Sequence, residues 1–250
     1  MASPEEVRRS MLILAFDTTS PDGGAALHRE ALSLGEVRAP GKVNYSVALF
    51  EMVERLLSGS GLRLAEVELF AAATGPGSFT GIRVGLAAAQ GWARAFGRPV
   101  RGVSVLEAMV EAAQPPGAAA VPLLDARRGE FYLGVYRRTP GAAPGSAAGT
   151  FSLSGEGLVR SPAGIDAVAA ELTREQDAGV TFIAREQDHA AHELARQLPA
   201  ACAWSTVPDF QGGAIARVAW RAAREGRLQQ PRELDAWYIR RSDAELNWQG

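Results

Sequence analysis

The chain predicts an α/β protein of two lobes, and three observations carry that reading. Over residues 11–113, period-two apolar alternation and helical periodicity succeed one another in the order βββαβαβα. A strand-like run at 69–74 ends in Gly75-Pro76-Gly77 and opens at Ser78 and Thr80 into a helical run ending at Phe96, the strand, turn and helix corner of an α/β unit. Two prolines and a glycine then break the chain at 112–118 (AAQPPGA) before strands resume.

Each element has its own local cause. Alternating apolar residues give strands at 12–17, 24–29 and 32–38, separated by Pro21-Asp22-Gly23 and by a very short link, which implies a meander of three neighbours. A helix at 44–57 follows, capped by Asn44, with Tyr45, Leu49, Met52, Val53 and Leu56 on one face. A strand at 69–74, the helix at 81–96, a strand at 100–103 and a helix at 104–113 complete the first lobe, 11–113. In the second lobe, 118–211, strands are expected at 121–124, 130–137 and 180–184, and helices at 163–174 and 188–197. That lobe reads as smaller and poorer in strands. A helix at 212–225 follows, residues 1–10 read as a flexible extension, and the Pro/Gly/Ala-rich stretch 139–149 as a mobile loop.

Composition excludes several function classes. At 47% hydrophobic, 250 residues supply ample core. The 26 Lys plus Arg against 28 Asp plus Glu create no global field to draw the protein onto nucleic acid. Cys202 is the only cysteine, which excludes an internal disulfide and a cysteine-based metal cluster. Residues 1–10 lack a signal-peptide core and no run is of membrane-spanning length, so a cytoplasmic location without membrane association is expected.

The corner at 75–81 has chemistry as well as shape. Glycine admits positive φ, and a Ser or Thr oxygen can accept from the free N–H groups of a first helical turn, so such a corner gathers donors that suit an anion. The plain alternative is that it only caps the helix. The longer string 75–93, GPGSFTGIRVGLAAAQGWA, resembles the signature of the TsaB family, subunits of the bacterial machinery that makes N6-threonylcarbamoyladenosine at position 37 of tRNA. Residues 11–20 (MLILAFDTTS), 123–138 (LLDARRGEFYLGVYRR) and 237–245 (WYIRRSDAE) resemble further family segments in the expected order.

The resemblance implies an α/β fold of two actin-like, ribonuclease-H-like lobes, the first complete and the second degenerate, with the C-terminal helix at about 212–226 packed back on the first. It implies a non-catalytic subunit that forms a heterodimer with TsaD, activates its threonylcarbamoyl transfer to adenosine 37 of tRNAs reading codons that begin with A, and meets the ATPase TsaE in the same complex. A homodimer in isolation, contact with tRNA through the complex, no cofactor of its own, and ATP or ADP only at the partner interface are the further expectations. Surplus apolar positions on two neighbouring helices place that interface on Tyr45, Leu49, Met52, Val53, Leu56, Ile82, Gly85, Leu86, Ala89 and Trp92. Gly85→Trp or Leu86→Asp is accordingly expected to abolish docking while sparing the fold.

Catalytic readings are weighed against plainer ones. Asp17, followed by Thr18, Thr19 and Ser20, matches the place where kinases and ATPases of the actin superfamily position a hydrated metal ion. The turn-aspartate reading is favoured, because the second-lobe phosphate loop would be 125–129 (DARRG) with one glycine, and the adenosine pocket only Gln211-Gly212-Gly213. Asp17, Thr18, Gly77, Ser78 and Arg83 stay as candidates for an anion or nucleotide at a partner joint. His189 and His192 share a helix face but have no third ligand nearby, and a solvated face is expected. TsaD carries two metal-binding histidines on its first helix; here that helix begins Asn44-Tyr45-Ser46 and has none. Ser78, Ser104 and Ser205 lie in no Gly-x-Ser-x-Gly elbow, which disfavours a peptidase. An autonomous small-molecule kinase or ATPase is the main alternative. The stretch 217–227 (RVAWRAAREGR) is the one candidate for direct tRNA contact, with a core-covering amphipathic helix as the equal alternative.

Overall fold

The computed structural model describes residues 11–41, 43–139, 151–154, 158–175 and 179–239, so the expected 1–10 extension, all of the 139–149 loop but Thr139, and most of the 237–245 string lie outside the described residues. Contacts group the chain into two units, Met1–Ala108 with Phe210–Trp237, and Met109–Asp209. The division falls a few residues before the expected break after 113.

The first unit is built on a five-stranded sheet in the order β3-β2-β1-β4-β5. Strands β1 (Leu12–Asp17), β2 (Gly24–Arg29) and β3 (Leu32–Arg38) form the antiparallel meander, and β4 (Leu69–Gly75) and β5 (Val100–Ser104) add in parallel on the other side of β1. Helices α1 (Tyr45–Gly59), α2 (Phe79–Phe96) and α3 (Val105–Ala113) follow β3, β4 and β5 in chain order. Alternation in β1 sends Leu12, Leu14 and Phe16 into one core with Leu27, Phe70, Leu49 and Leu86 from the neighbouring strands and helices. The unit also takes the late helix α6 (Gly212–Arg224), which packs on β1, β2, β4 and β5. Its many small residues face alanines of the sheet, with Ala15, Ala26, Ala71 and Ala73 all buried.

The second unit repeats the arrangement. Its sheet runs β10-β7-β6-β11-β12, with β7 antiparallel to both β6 and β10, and β11 parallel to both β6 and β12. The strands are β6 (Ala119–Arg127), β7 (Glu130–Leu133), β8 (Tyr136–Arg138), β9 (Phe151–Leu153), β10 (Leu158–Arg160), β11 (Val180–Arg185) and β12 (Cys202–Val207), with α4 (Pro162–Glu175) before β11 and α5 (His189–Ala195) before β12. The two sheets therefore share the strand order and pairing senses of the actin-like, ribonuclease-H-like class. The expected poverty of strands is corrected: among the described residues the second unit has seven against five. Four of them are three or four residues long, too short to show period two, and the expected strand at 130–137 is split at Gly134-Val135. No helix among the described residues is long and apolar enough to cross a membrane.

Candidate functional site

The corner read from the sequence is present, and two of its donors, the Ser78 and Gly81 N–H groups, are used within the chain. Ser78 caps α2 with its side chain accepting from the Gly81 N–H, and its own N–H donates to the Thr19 carbonyl at 2.8 Å. The Thr18 hydroxyl donates to the Gly81 carbonyl at 2.7 Å. A Cβ on Gly81 would lie 1.9 Å from the Thr18 carbonyl oxygen, on Gly85 2.6 Å from the Thr18 hydroxyl, and on Gly77 2.7 Å from the Thr19 carbonyl oxygen. The glycines thus let the first turn of α2 lie directly on the turn after β1.

Asp17 is fully buried and serves the same joint. Its Oδ1 accepts from the Thr19 N–H at 3.1 Å and the Thr19 hydroxyl at 2.6 Å, and its Oδ2 accepts from the Gln211 N–H at 3.1 Å. The carboxylate therefore sits at the positive end of α6, where helix N–H groups favour negative charge. That is the turn-aspartate arrangement. Asp17, Thr18, Gly77 and Ser78 do come together, through side-chain bonds of Asp17 and Thr18, the Ser78–Thr19 backbone bond and the close approach of Gly77 to Thr19. Arg83, one turn into α2, stacks on Phe79, its guanidinium 3.8 Å from the ring centre.

The expected partner interface is corrected more sharply. Tyr45, Leu49, Met52, Val53, Leu56, Ile82, Gly85, Leu86 and Ala89 are all buried in the first unit's own core, against β1, β2 and β4. Periodicity identified an apolar face correctly, but the sheet covers it. Gly85→Trp and Leu86→Asp would break the lobe before any docking could be read. Only Trp92 is half-buried, its ring 5.4 Å from Phe16 on the inside and 5.2 Å, edge to face, from Phe50 on the outside.

The surface left open is the opposite face of the same helices. Val47 is 59% exposed and Phe50 53% exposed on α1, and on α2 Ala87, Gly91 and Ala95 are exposed at steps of four. A Cβ on Gly91 would meet nothing within 4 Å. Phe50 and Trp92 form an apolar strip where α1 meets α2, and the small-residue row runs along the outer side of α2. Part of the signal was in the sequence, since Val47 and Phe50 lie outside the 45, 49, 52, 53, 56 stripe, although Leu57, also outside it, is buried. Tyr45 latches the start of α1: its hydroxyl donates to the Ser20 carbonyl at 2.8 Å, while Asn44 caps the helix through the Ser46 N–H.

Sequence reading gave no role to His28. It is 1% exposed, and neither ring nitrogen has a hydrogen-bond partner among the described residues. Burial, then the nearby Arg217 cation, lowers its pKa to about 4 against a smaller opposing effect of the Ala31 backbone. His192, by contrast, is held by its Nε2 at the Arg185 and Glu186 carbonyls and lies edge-on to Trp204. Among the described residues, no three His, Cys, Asp or Glu side chains gather as a metal site.

With this geometry in hand, comparison with known proteins gives three findings. Residues 41–153 match the family model described as TsaD, tRNA N6-adenosine threonylcarbamoyltransferase. The chain is 35% identical over 127 residues to the tRNA threonylcarbamoyladenosine biosynthesis protein TsaB of Bacillus subtilis and 36% identical over 133 residues to that of Escherichia coli, in each case over 51% of this chain and 56% of the relative. It thus spans about half the length of the curated relatives it matches. Among solved structures, an uncharacterized protein with similarity to peptidase YeaZ from Pseudomonas aeruginosa superposes with a TM-score of 0.71 at 26% identity, covering 92% of this chain and 100% of that one. A second, YeaZ from the same organism, gives 0.69 at 24%, covering 91% and 99%. The resemblance read in the sequence is borne out.

Proposed function

We propose that this chain, a relative of the TsaB proteins, is a non-catalytic subunit in the synthesis of N6-threonylcarbamoyladenosine in tRNA, and that it docks TsaD through the outer face of α1 and α2. The carrying observation is the strip around Phe50 and Trp92. An apolar strip left open beside a filled core is the composition of an interface centre, and a row of small residues lets a partner helix approach closely. The names of the TsaB relatives and the TsaD family match support the pathway. Docking would activate TsaD at adenosine 37 by binding its active conformation more tightly than its inactive one. The proposal includes TsaE as a further partner, a homodimer of the isolated chain through the same strip, no cofactor of its own, and ATP or ADP only at the joint with a partner.

The test is threonylcarbamoyl transfer to tRNA in a mixture of TsaD, TsaE and the adenylate-forming enzyme, with and without this chain. Modification should require the chain, and the chain alone should give none. Phe50→Asp and Gly91→Trp should abolish it while leaving the melting curve unchanged. Modification that proceeds equally without the chain would overturn the proposal, and ATP turnover by the pure chain would favour the kinase alternative.

A further inference from the structure

We infer that the arginine face of α6 binds the phosphate backbone of RNA, an assignment that rests on the reading of this chain as a tRNA-modification subunit. The helix buries Gly212 to Ala216, Val218, Ala219 and Ala222 against the sheet. On the remaining arc, at steps of three and four, lie Arg217, Trp220 and Arg221, each half-buried, and the exposed Arg224. The arc spans about 10 Å along the axis. Arg221 and Arg224 sit in the last turn, where they also complement the helix dipole, and Arg217 lies one to two turns earlier, near the buried His28.

The basic face continues past the helix. Gly226 turns the chain with φ of 71°, and Gln229 then pairs with Val100 through N–H to carbonyl bonds of 2.9 and 3.0 Å. This brings Arg227 beside β5 and Arg101. The Nε atoms of Arg98 and Arg101 are buried with no hydrogen-bond partner among the described residues. Burial, and then Arg227 among the opposing charges, makes the Arg101 cation harder to hold, while Glu107 and Glu225 favour it. The acids facing this end are thus Glu107 and Glu225, and Glu225 is ion-paired with Arg227.

The chemistry of this face selects among anionic partners. Guanidinium groups meet phosphate oxygens in two-pronged hydrogen bonds, and an indole set among them offers a stacking surface for a base. A membrane-surface helix needs an apolar face free to insert, and the apolar face of α6 is occupied by the sheet. None of the exposed large hydrophobic side chains lies on α6. With a net charge of −2 for the whole chain, attraction to a polyanion has to be local.

The test is fluorescence anisotropy of the full chain with an unmodified transcript of a tRNA that reads codons beginning with A, between 50 and 200 mM salt. Arg221→Glu with Arg224→Glu should weaken binding at least tenfold and flatten the log–log salt dependence by about two units, near one per lost phosphate contact. Trp220→Leu should weaken binding with the salt slope unchanged. Arg63→Glu, an exposed arginine on a distant turn, should do neither. Melting curves establish that each variant folds, and capture by TsaD, which uses a different face, should persist in all of them. If the wild-type chain binds the transcript only in complex with TsaD, the same comparison is made on the complex. Equal affinity of the double variant and wild type overturns the assignment even where TsaD capture and modification succeed. An equal loss of binding to phosphatidylserine vesicles or polyglutamate, with RNA binding intact, overturns it too. Failure of TsaD capture by the wild type instead overturns the proposed function, and the RNA result is then read alone.

Discussion

The two faces of the first sheet are filled in different ways. On one, Leu12, Leu14, Phe16, Leu27 and Phe70 meet the bulky inner residues of α1 and α2. On the other, Ala15, Ala26, Ala71 and Ala73 meet an α6 whose first residues are Gly212, Gly213 and Ala214, and this close layer also holds the buried Asp17 and His28. Large side chains hold the helices of the first layer by area removed from water, whereas small ones bring backbone near enough for Asp17 to accept from the Gln211 N–H. The bulky layer owes its strength to volume, and the close layer to polar groups that have to be right.

The largest effect is expected from Gly81→Ala, where the bulky layer has one close backbone approach of its own, at the start of α2. The added Cβ would fall 1.9 Å from a backbone oxygen, which no side chain can move, so the variant should show no cooperative unfolding transition by circular dichroism. Next is Leu49→Ala, which empties a fully buried site in the bulky layer and should cost roughly 2 to 5 kcal/mol in chemical denaturation. A loss below about 1 kcal/mol would mean that volume is not what holds α1.

His28 tests the close layer. Its pKa is lowered to about 4 in the folded chain from an ordinary 6.5, so the unfolded chain binds the proton more tightly. The stability this contributes is complete above pH 6.5 and is lost as pH falls from 6.5 through about 4, by about 3 kcal/mol in all. Denaturation across that range should show the slope in the wild type and a reduced slope in His28→Leu. An unchanged slope would place the titrating group elsewhere. The smallest effect on stability belongs to the outer strip: Phe50→Ser should stay within about 0.5 kcal/mol of wild type, because the ring is half in solvent. The same variant should lose TsaD capture, which separates the outer face from the inner one more cleanly than any core substitution.

Much of this fold was legible in the chain. The meander, the Asn44 and Ser78 caps, and the helices at 45–59, 79–96 and 212–224 lie within a few residues of where alternation, caps and periodicity put them. The strand Cys202–Val207 was not, because only Val207 is buried, Ala203 and Thr206 are exposed, and the letters carry no regular apolar alternation to read. The candidate site was less legible than the fold. Leu49 and Phe50 are equally apolar letters, yet one is wholly buried and the other more than half exposed.

Local rules that act within a turn or along one element therefore settled the element order, the glycine corner and the apolar stripe of each helix, because steric limits on φ and the 2.0 and 3.6 residue periods need no distant partner. Which of two apolar faces meets the sheet, that Asp17 caps a helix 194 positions away, and that His28 is buried near Arg217 were decided only by tertiary structure. Burial and charge proximity are properties of residues brought together across the whole chain, and a sequence lists those residues without the distances between them.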